Sequence, residues 1–176
     1  MASCLVWGVM GEVHAALQAA GEYQVKAVFV QNFARFVDWP TDTFTDARNP
    51  FAICVLGRDP FNGELELAIK GRTVNSRDFV VKRPARIQEA RSCQIVFVSA
   101  SERKHFDAIL GGLKFAGVLT VGDTDGFIQS GGIINFVLED GRVRCEVNAE
   151  AAARANLKIS SKLLGVSRIV SLRGQQ

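Results

Sequence analysis

The sequence predicts a single α/β domain with a mostly parallel central sheet, helices on both faces and a C-terminal antiparallel hairpin. From residue 51 onward, short continuous apolar runs alternate with helical patterns, which is typical of a parallel sheet covered on both faces. Two later β-rich runs joined by Asp140-Gly141 predict the hairpin. With 176 residues, 48% hydrophobic and 22% charged, the chain has the size and composition of one folded domain.

The first twenty residues differ in composition from the rest of the chain. The apolar run from Cys4 to Met10 and the small residues near Ala15 resemble a secretory signal. However, the first basic residue is Lys26, whereas a signal needs a basic region before its apolar stretch. We expect residues 1–20 to be either a truncated signal peptide or an N-terminal arm, and residues 21–176 to be the domain. No stretch reaches the roughly 20 apolar residues of a spanning helix, so the domain is not expected to be embedded in a membrane.

The first predicted element of the domain is an amphipathic helix. Apolar residues recur at three- and four-residue intervals from Tyr23 to Val37, the spacing of one helical face. The helix is expected to stop near Asp38, because the residue that precedes Pro40 is biased away from the helical region. The polar residues 41–50 are predicted to form a loop.

Strands and helices alternate in the prediction for residues 51–121, which we interpret as a doubly wound core. Each predicted strand is a short apolar run that ends at a small or polar residue, and each predicted helix has a start or stop signal. The predicted strands are residues 51–56, 79–82, 94–98 and 117–121. The predicted helices are residues 59–69, started by Asp59-Pro60 and closed by Gly71, residues 85–90, and a helix capped by Ser101 that reaches residue 113.

The last third of the chain changes character. Residues 131–138 and 142–147 are the predicted hairpin strands, and the alternation in the second strand places Cys145 on its buried face. Asn148 is predicted to cap a helix over residues 149–155, because its side chain can accept a hydrogen bond from the first turn. Ser160-Ser161 is predicted to start a short helix, and residues 168–172 are a predicted edge strand.

The charge and cysteine patterns exclude several classes of function. The net charge is +3, but the basic residues are spread along the chain, so nucleic-acid binding is not expected. The four cysteines form no Cys-x-x-Cys pair, and the only histidines are His14 and His105, so neither a metal nor a cofactor is expected. At this stage Cys54, Cys93 and Cys145 can be disulfide partners or simply small buried side chains.

A ligand crevice is one interpretation of the predicted strand ends. In open parallel sheets, ligands bind outside the carboxyl ends of the strands. The residues that follow three apolar strands, with Gly131-Gly132 downstream of them, are Gly57-Arg58-Asp59, Ser99-Ala100-Ser101 and Gly122-Asp123-Thr124. The alternative is that these residues only form the turns between strands and helices.

Catalytic machinery is not evident, so the protein is not expected to be an enzyme. His105 lies within a predicted helix and has no evident partner, and neither a nucleophile elbow nor a phosphate-binding loop is present. Asp123 and Asp125 are candidates to share a cation, but carboxylates in a glycine-rich turn are usually turn formers.

Five motifs occur in a fixed order along the chain between about Tyr23 and Val170. They are YQVKAVFVQNFARFVDWP, FAICVLG followed by DPF, QIVFVSASE, LTVGDTDGF and GGIINFVLEDGRVRCEVNAEAAARANLKISSKLL. This ordered set resembles the YfiR family, whose members are periplasmic proteins that restrain a membrane-bound diguanylate cyclase. The set in this order is specific, although no single motif would be.

This resemblance implies a compartment, a disulfide and a partner. It implies a periplasmic protein, and disulfides persist in that oxidising compartment. It implies a bridge between Cys54 and Cys93, and it leaves Cys145 without a partner. It also implies that the chain binds and inhibits the periplasmic part of an inner-membrane diguanylate cyclase. A second copy of the chain and a small-molecule ligand are further candidate partners, and a small-molecule sensor that uses the crevice is the alternative function.

The motifs do not indicate which surface would bind the cyclase. Exposed aromatic and apolar side chains and arginines are the usual anchors of protein interfaces. The candidate anchors are Phe36, Trp39, Arg142, Arg144, Leu163 and Leu164. They form three groups: Phe36 and Trp39 of the first helix, Arg142 and Arg144 of the hairpin, and Leu163 with Leu164. Core packing is the alternative role for each group.

Overall fold

Ten strands and six α-helices make up the part of the chain that the structure describes. The computed structural model describes residues 6–44, 46 and 48–171, and it describes side chains from residue 18 onward. The helices are α1 (Val6–Phe36), α2 (Glu64–Ile69), α3 (Ile87–Ala90), α4 (Phe106–Leu113), α5 (Ala149–Arg154) and α6 (Ser161–Leu164). The strands are β1 (Val37–Asp38), β2 (Phe51–Leu56), β3 (Thr73–Val74), β4 (Arg77–Lys82), β5 (Ile95–Val98), β6 (Leu119–Gly122), β7 (Ile134–Glu139), β8 (Arg142–Val147), β9 (Lys158–Ile159) and β10 (Arg168–Ile169).

Eight of these strands form one mixed sheet in the order β10-β8-β7-β6-β5-β2-β4-β3, while β1 and β9 form a separate antiparallel pair. The neighbours from β4 to β7 are all parallel, β7 and β8 are antiparallel, and β10 is parallel to β8. The predicted mostly parallel sheet with a C-terminal hairpin is confirmed.

Two apolar layers cover the two faces of the sheet. All six residues of β2 are buried, because its alternate side chains point to opposite faces of the sheet and both faces are covered. Phe51, Ile53 and Val55 join the layer that includes α1 and α2. The neighbouring side chains, among them Cys54 and Leu56, join the layer under α3 and α4. Helices on both faces explain why the central strands are continuously apolar rather than alternating.

Tight turns form both hairpins of the sheet. Asp140 and Gly141 have φ angles of 51° and 70°, as a two-residue hairpin turn requires, so the predicted β7–β8 turn is confirmed. Asn75 and Ser76 also have positive φ angles, 48° and 62°, and they join β3 to β4. This hairpin was not predicted, since β3 has only two residues and no apolar run.

Four helix starts differ from the predictions, including that of α3, which begins at Ile87 rather than at residue 85. Helix α1 begins at Val6 and ends at Phe36, so the helical backbone includes part of the predicted signal segment, whose residues 1–5 lie outside the described residues. Helix α2 begins at Glu64, because the Asp59 side chain accepts a hydrogen bond from the Phe61 amide and forms a local turn first. The helical segment after β5 begins at Ala100, before the predicted cap Ser101.

Ser99 rather than Ser101 starts the helical segment after β5. The Ser99 hydroxyl accepts a hydrogen bond from the Ser101 amide, and a 3₁₀ helix over Ala100–His105 precedes α4. The predicted caps Asn148 and Ser160 are confirmed, since each accepts a bond from the amide three residues later. Strand β10 is an edge strand as predicted, and the predicted end at Leu172 lies outside the described residues.

Candidate ligand crevice and partner-binding surface

The sheet has a topological switch point between β2 and β5. The chain passes from β2 to β4 on one side, and then returns across β2 to β5 and continues to β6. Ligands of open α/β sheets bind outside the strand ends at such a point. Gly57-Arg58 and Ser99 follow the two strands concerned, so the predicted crevice residues lie at the position where a site is expected.

Four of the six predicted crevice residues converge there, but they fill the space between them. The Ser101 hydroxyl accepts a hydrogen bond of 2.9 Å from the Arg58 amide, and Ser99 is buried beneath this contact. Gly57 has a φ of +90°, and a Cβ atom at this residue would lie 2.5 Å from the Ser101 oxygen. Glycine suits this approach because of its positive φ, and the Ser101 hydroxyl occupies the space between Gly57 and Ser99.

The other two predicted crevice residues face different partners. A Cβ atom on Gly122 would lie 2.6 Å from the ring of Phe127, which packs against it. The Asp123 carboxylate accepts hydrogen bonds from the Tyr23 hydroxyl at 2.7 Å and the Lys26 ammonium at 2.8 Å. We call this group of Tyr23, Lys26 and Asp123 the Asp123 clasp. It binds α1 to the end of β6, which no local sequence pattern indicated.

Charge pairing and ring packing hold the clasp in a buried environment. The side chains of Lys26 and Asp123 are 5% and 4% exposed, and Glu22 is a second carboxylate partner of Lys26, at 2.5 Å. Burial, followed by the hydrogen bond to Asp123, raises the pKa of the Tyr23 hydroxyl, which therefore stays a donor. The Tyr23 ring packs edge-on against Phe61 with centroids 5.4 Å apart. The clasp thus joins α1 to the sheet, and the second Asp123 carboxylate oxygen accepts a long hydrogen bond from the neighbouring Thr124 hydroxyl.

An open pocket does lie next to Gly57, on the α3–α4 face of the sheet. Its volume is about 500 Å³, within the range of small-molecule sites. Its apolar lining includes Leu56, Ile87 and Ile109. Arg86 and His105 also line it, but each already pairs with a glutamate of its own helical segment. The α3 side of this pocket was not predicted, because the predicted crevice residues all follow apolar strands.

The predicted disulfide joins β2 to the start of β5. The Cα atoms of Cys54 and Cys93 are 6.0 Å apart and the two sulfur atoms are bonded, so the implied bridge is confirmed. Cys145 is a free, buried thiol, and burial raises its pKa to about 12. Among the described residues, no three His, Cys, Asp or Glu side chains gather as a metal site would require.

The predicted partner anchors divide into core residues and exposed residues. Leu163 is only 4% exposed and belongs to the core. Phe36, Trp39 and Leu164 are partly buried against that core, with the Trp39 ring edge-on to Phe51 at 5.0 Å. These four side chains have the packing role that was the alternative explanation. Of the six predicted anchors, Arg142 and Arg144 are the two that are exposed.

Arg142 and Arg144 lie on an exposed face of the hairpin. The two carboxylates on that face already form ion pairs with Arg168. Both arginines are exposed on β8, on the face that also bears Glu139 and Glu146. Arg168 of β10 forms ion pairs with both glutamates, which raises the pKa of its guanidinium, chiefly through the hydrogen bond to Glu146. Within the described residues, neither Arg142 nor Arg144 has a side-chain hydrogen bond or ion pair.

A groove runs between α1 and the tip of the hairpin. We call it the α1–hairpin groove, and its volume is about 560 Å³. Val25 and Leu138 line it and are 45% and 56% exposed, although they are large apolar side chains. Val143 lies opposite Leu138 across the hairpin, on the same face. Gln18, Glu22 and Arg142 also line the groove, so the hairpin presents exposed apolar side chains next to its arginines.

Comparison with known protein families identifies the fold and its relatives. The model of the YfiR/HmsC-like family matches residues 23–168, which is most of the chain. The chain belongs to this family. Membership supports, at the level of the family, a periplasmic regulator of diguanylate cyclase signalling. A search of curated protein sequences finds no match. In the described residues no helix is long and apolar enough to cross a membrane.

Two solved structures share the fold of this YfiR/HmsC-like chain. A conserved domain protein from Vibrio cholerae O1 biovar El Tor strain N16961 aligns with a TM-score of 0.50 and 10% identity, over 70% of this chain and 55% of that chain. The ABC domain from Streptococcus pneumoniae in complex with L-Trp aligns with a TM-score of 0.54 and 9% identity, over 85% of this chain and 60% of that chain. The chain spans less than two thirds of either protein, and the likeness shows the fold alone.

Proposed function

We propose that this protein is a non-catalytic periplasmic regulator that binds the periplasmic part of an inner-membrane diguanylate cyclase and inhibits it. The family match over residues 23–168 is the observation that carries the proposal. The Cys54–Cys93 bridge supports the location, because disulfides persist in the oxidising periplasm. Inhibition requires that the protein bind the inactive state of the cyclase more tightly than the active state, since only that difference shifts the equilibrium.

The hairpin supports the binding step of this proposal. Arg142 and Arg144 are exposed and lack carboxylate partners in the described structure, so binding them to a partner's carboxylates breaks no existing ion pair. Arginine is also enriched at interface positions that contribute most of the binding energy. The proposal assigns no reaction to the chain: the polar groups beside Gly57 bond to one another.

Deletion of the gene tests the function. The strain should retain a neighbouring gene for a membrane protein with a periplasmic sensor and a GGDEF output domain, and cyclic di-GMP is measured in cell extracts. We expect the deletion to raise cyclic di-GMP and the wild-type gene to restore the lower level. The double variant Arg142→Glu/Arg144→Glu should not restore it. The matched control Arg103→Glu/Lys104→Glu reverses two exposed charges elsewhere and should restore it. Unchanged cyclic di-GMP on deletion would reject the regulatory role.

A small-molecule sensor is the second candidate function, and the pocket of about 500 Å³ beside Gly57 favours it. A ligand that binds only the folded state at a hundredfold excess over its dissociation constant stabilises that state by about 2.7 kcal/mol. Thermal shift against a panel of periplasmic metabolites would detect this. Ala108→Trp should fill the pocket and abolish the shift, whereas Ala153→Trp at an exposed position of α5 should retain it. A panel without any shift would count against the sensor.

A further inference from the structure

We propose that the outer edge of β8 binds an extended acidic segment of a partner protein by strand addition. Apolar side chains of that segment would then enter the α1–hairpin groove. The proposal deepens the proposed function and rests on it only for the identity of the partner. Three features carry it: free backbone groups on β8, unpaired arginines on one face, and exposed apolar side chains on the other.

The first feature is a short free edge on β8. Glu139 and Arg142 flank a two-residue turn, so the hydrogen-bonded pairs of the hairpin are Arg142, Arg144 and Glu146 with their partners on β7. The amides of Val143 and Cys145 therefore point outward. Strand β10 pairs only with Glu146 and Val147. Within the described structure, the Val143 N–H and C=O groups and the Cys145 N–H have no strand partner, and such groups are a template for another strand.

The second feature is the charge on one face of this edge. Arg142 and Arg144 are exposed there, and Arg168 already occupies the nearby carboxylates of Glu139 and Glu146. A strand added at the edge would place every second side chain beside these arginines. Carboxylates at those positions would form charge-assisted hydrogen bonds with the guanidinium groups.

The third feature is the apolar surface on the opposite face. The remaining side chains of an added strand would lie on the side of Val143, towards the groove lined by Val25 and Leu138. Val25 and Leu138 are about half exposed in the free protein, so covering them removes apolar area from water. The segment that fits both faces alternates acidic and apolar residues.

A second copy of this chain fits the same edge poorly. Directly opposite residues of an antiparallel pair point to the same face of the sheet. If two β8 edges paired through residues 142–144, every possible register would therefore place an arginine of one copy opposite an arginine of the other. Like charges directly opposite one another are destabilising. The charges thus favour a different, acidic segment over self-association.

Titration of the isotope-labelled full chain with two blocked pentapeptides tests this proposal. One peptide is Asp-Val-Asp-Val-Asp and the other is Lys-Val-Lys-Val-Lys, and binding is followed by the shifts of backbone amide signals in NMR spectra. We expect the acidic peptide to shift the Val143 and Cys145 signals and to bind at least about tenfold more tightly than the basic peptide. An acidic peptide methylated on its central backbone nitrogens should bind about tenfold more weakly, because it cannot pair as a strand.

Charge-reversal variants complete the design. Arg142→Glu/Arg144→Glu should reverse the preference between the peptides, while Arg103→Glu/Lys104→Glu should leave it unchanged. Equal affinity for the two peptides, shifts confined to residues outside β8, or undiminished binding of the methylated peptide would each overturn the proposal. Concentration-dependent dimerisation in sedimentation experiments that Val143→Pro abolishes, because proline removes the outward N–H of the edge, would overturn it in favour of a second copy. The cyclic di-GMP result does not enter this test, so the edge and the proposed function fail separately.

Discussion

Removal of the Cys54–Cys93 bridge should produce a large and calculable loss of stability. The bridge joins residues 39 positions apart, and the chain-entropy model assigns a loop of that size about 4 kcal/mol of stabilisation. Both cysteines are almost completely buried, so alanine at the two positions also leaves small cavities that add to the loss. We expect Cys54→Ala/Cys93→Ala to lower the free energy of unfolding by at least about 4 kcal/mol.

Urea denaturation with and without a reductant measures this loss. The reductant should lower the free energy of unfolding of the wild type by about 4 kcal/mol and leave the double variant unchanged, because no bridge remains in it. Cys145→Ala is the matched control: it also alters a buried cysteine, but its response to the reductant should equal that of the wild type. Peptide mapping under non-reducing conditions should find the Cys54–Cys93 bridge and an unmodified Cys145.

Two results would refute the reasoning. A wild-type stability that changes by less than about 1 kcal/mol on reduction would show that the bridge does not restrict the unfolded chain as the entropy model assumes. A bridge that includes Cys145 would show that the arrangement of β2, β5 and β8 is wrong.

Three further predictions concern single side chains. Asp123→Asn leaves the buried Lys26 with only Glu22 as a carboxylate partner, so denaturation should show a loss of about 3 kcal/mol. Gly57→Ala should destabilise the fold more than Gly71→Ala, because both glycines have positive φ angles but only at Gly57 would the new Cβ meet other atoms; equal losses in thermal unfolding would contradict this. The pKa of Cys145 is raised from 9.0 to about 12, so above pH 9 the unfolded state loses the thiol proton before the folded state does. Stability should then fall by about 1.4 kcal/mol per pH unit, and Cys145→Ala should remove this component.

The central strands were predictable because their signal is local. Phe51–Leu56 is a continuous apolar run, and a strand buried on both faces has that pattern whatever its neighbours are. The Asp140-Gly141 turn was equally legible, since its two residue types tolerate positive φ angles. The start of α2 was not legible, because Asp59 bonds to the Phe61 amide and delays the helix to Glu64.

The site was only partly predictable because its contacts join distant parts of the chain. Strand ends placed Gly57 and Ser99 at the switch point, which needs only the order of strands and helices. No local pattern shows that Asp123 is bound by Lys26. Likewise, the burial of Leu163 depends on the whole core, so its sequence pattern fits an anchor and a core residue equally well.

The Asp123 clasp also affects the order in which the chain folds. Its two hydrogen bonds join residues 100 and 97 positions apart, so a large loop must close before they form. Docking of α1, whose Phe33 is buried, therefore depends on contacts that are distant in sequence, whereas β2 and β4 can pair through a short connection. We expect a transient species in which the centre of the sheet has formed and α1 is undocked, detectable as late protection of the α1 amides in pulse-labelled refolding. In that interval the exposed stripe of α1 is open to aggregation and to binding by chaperones.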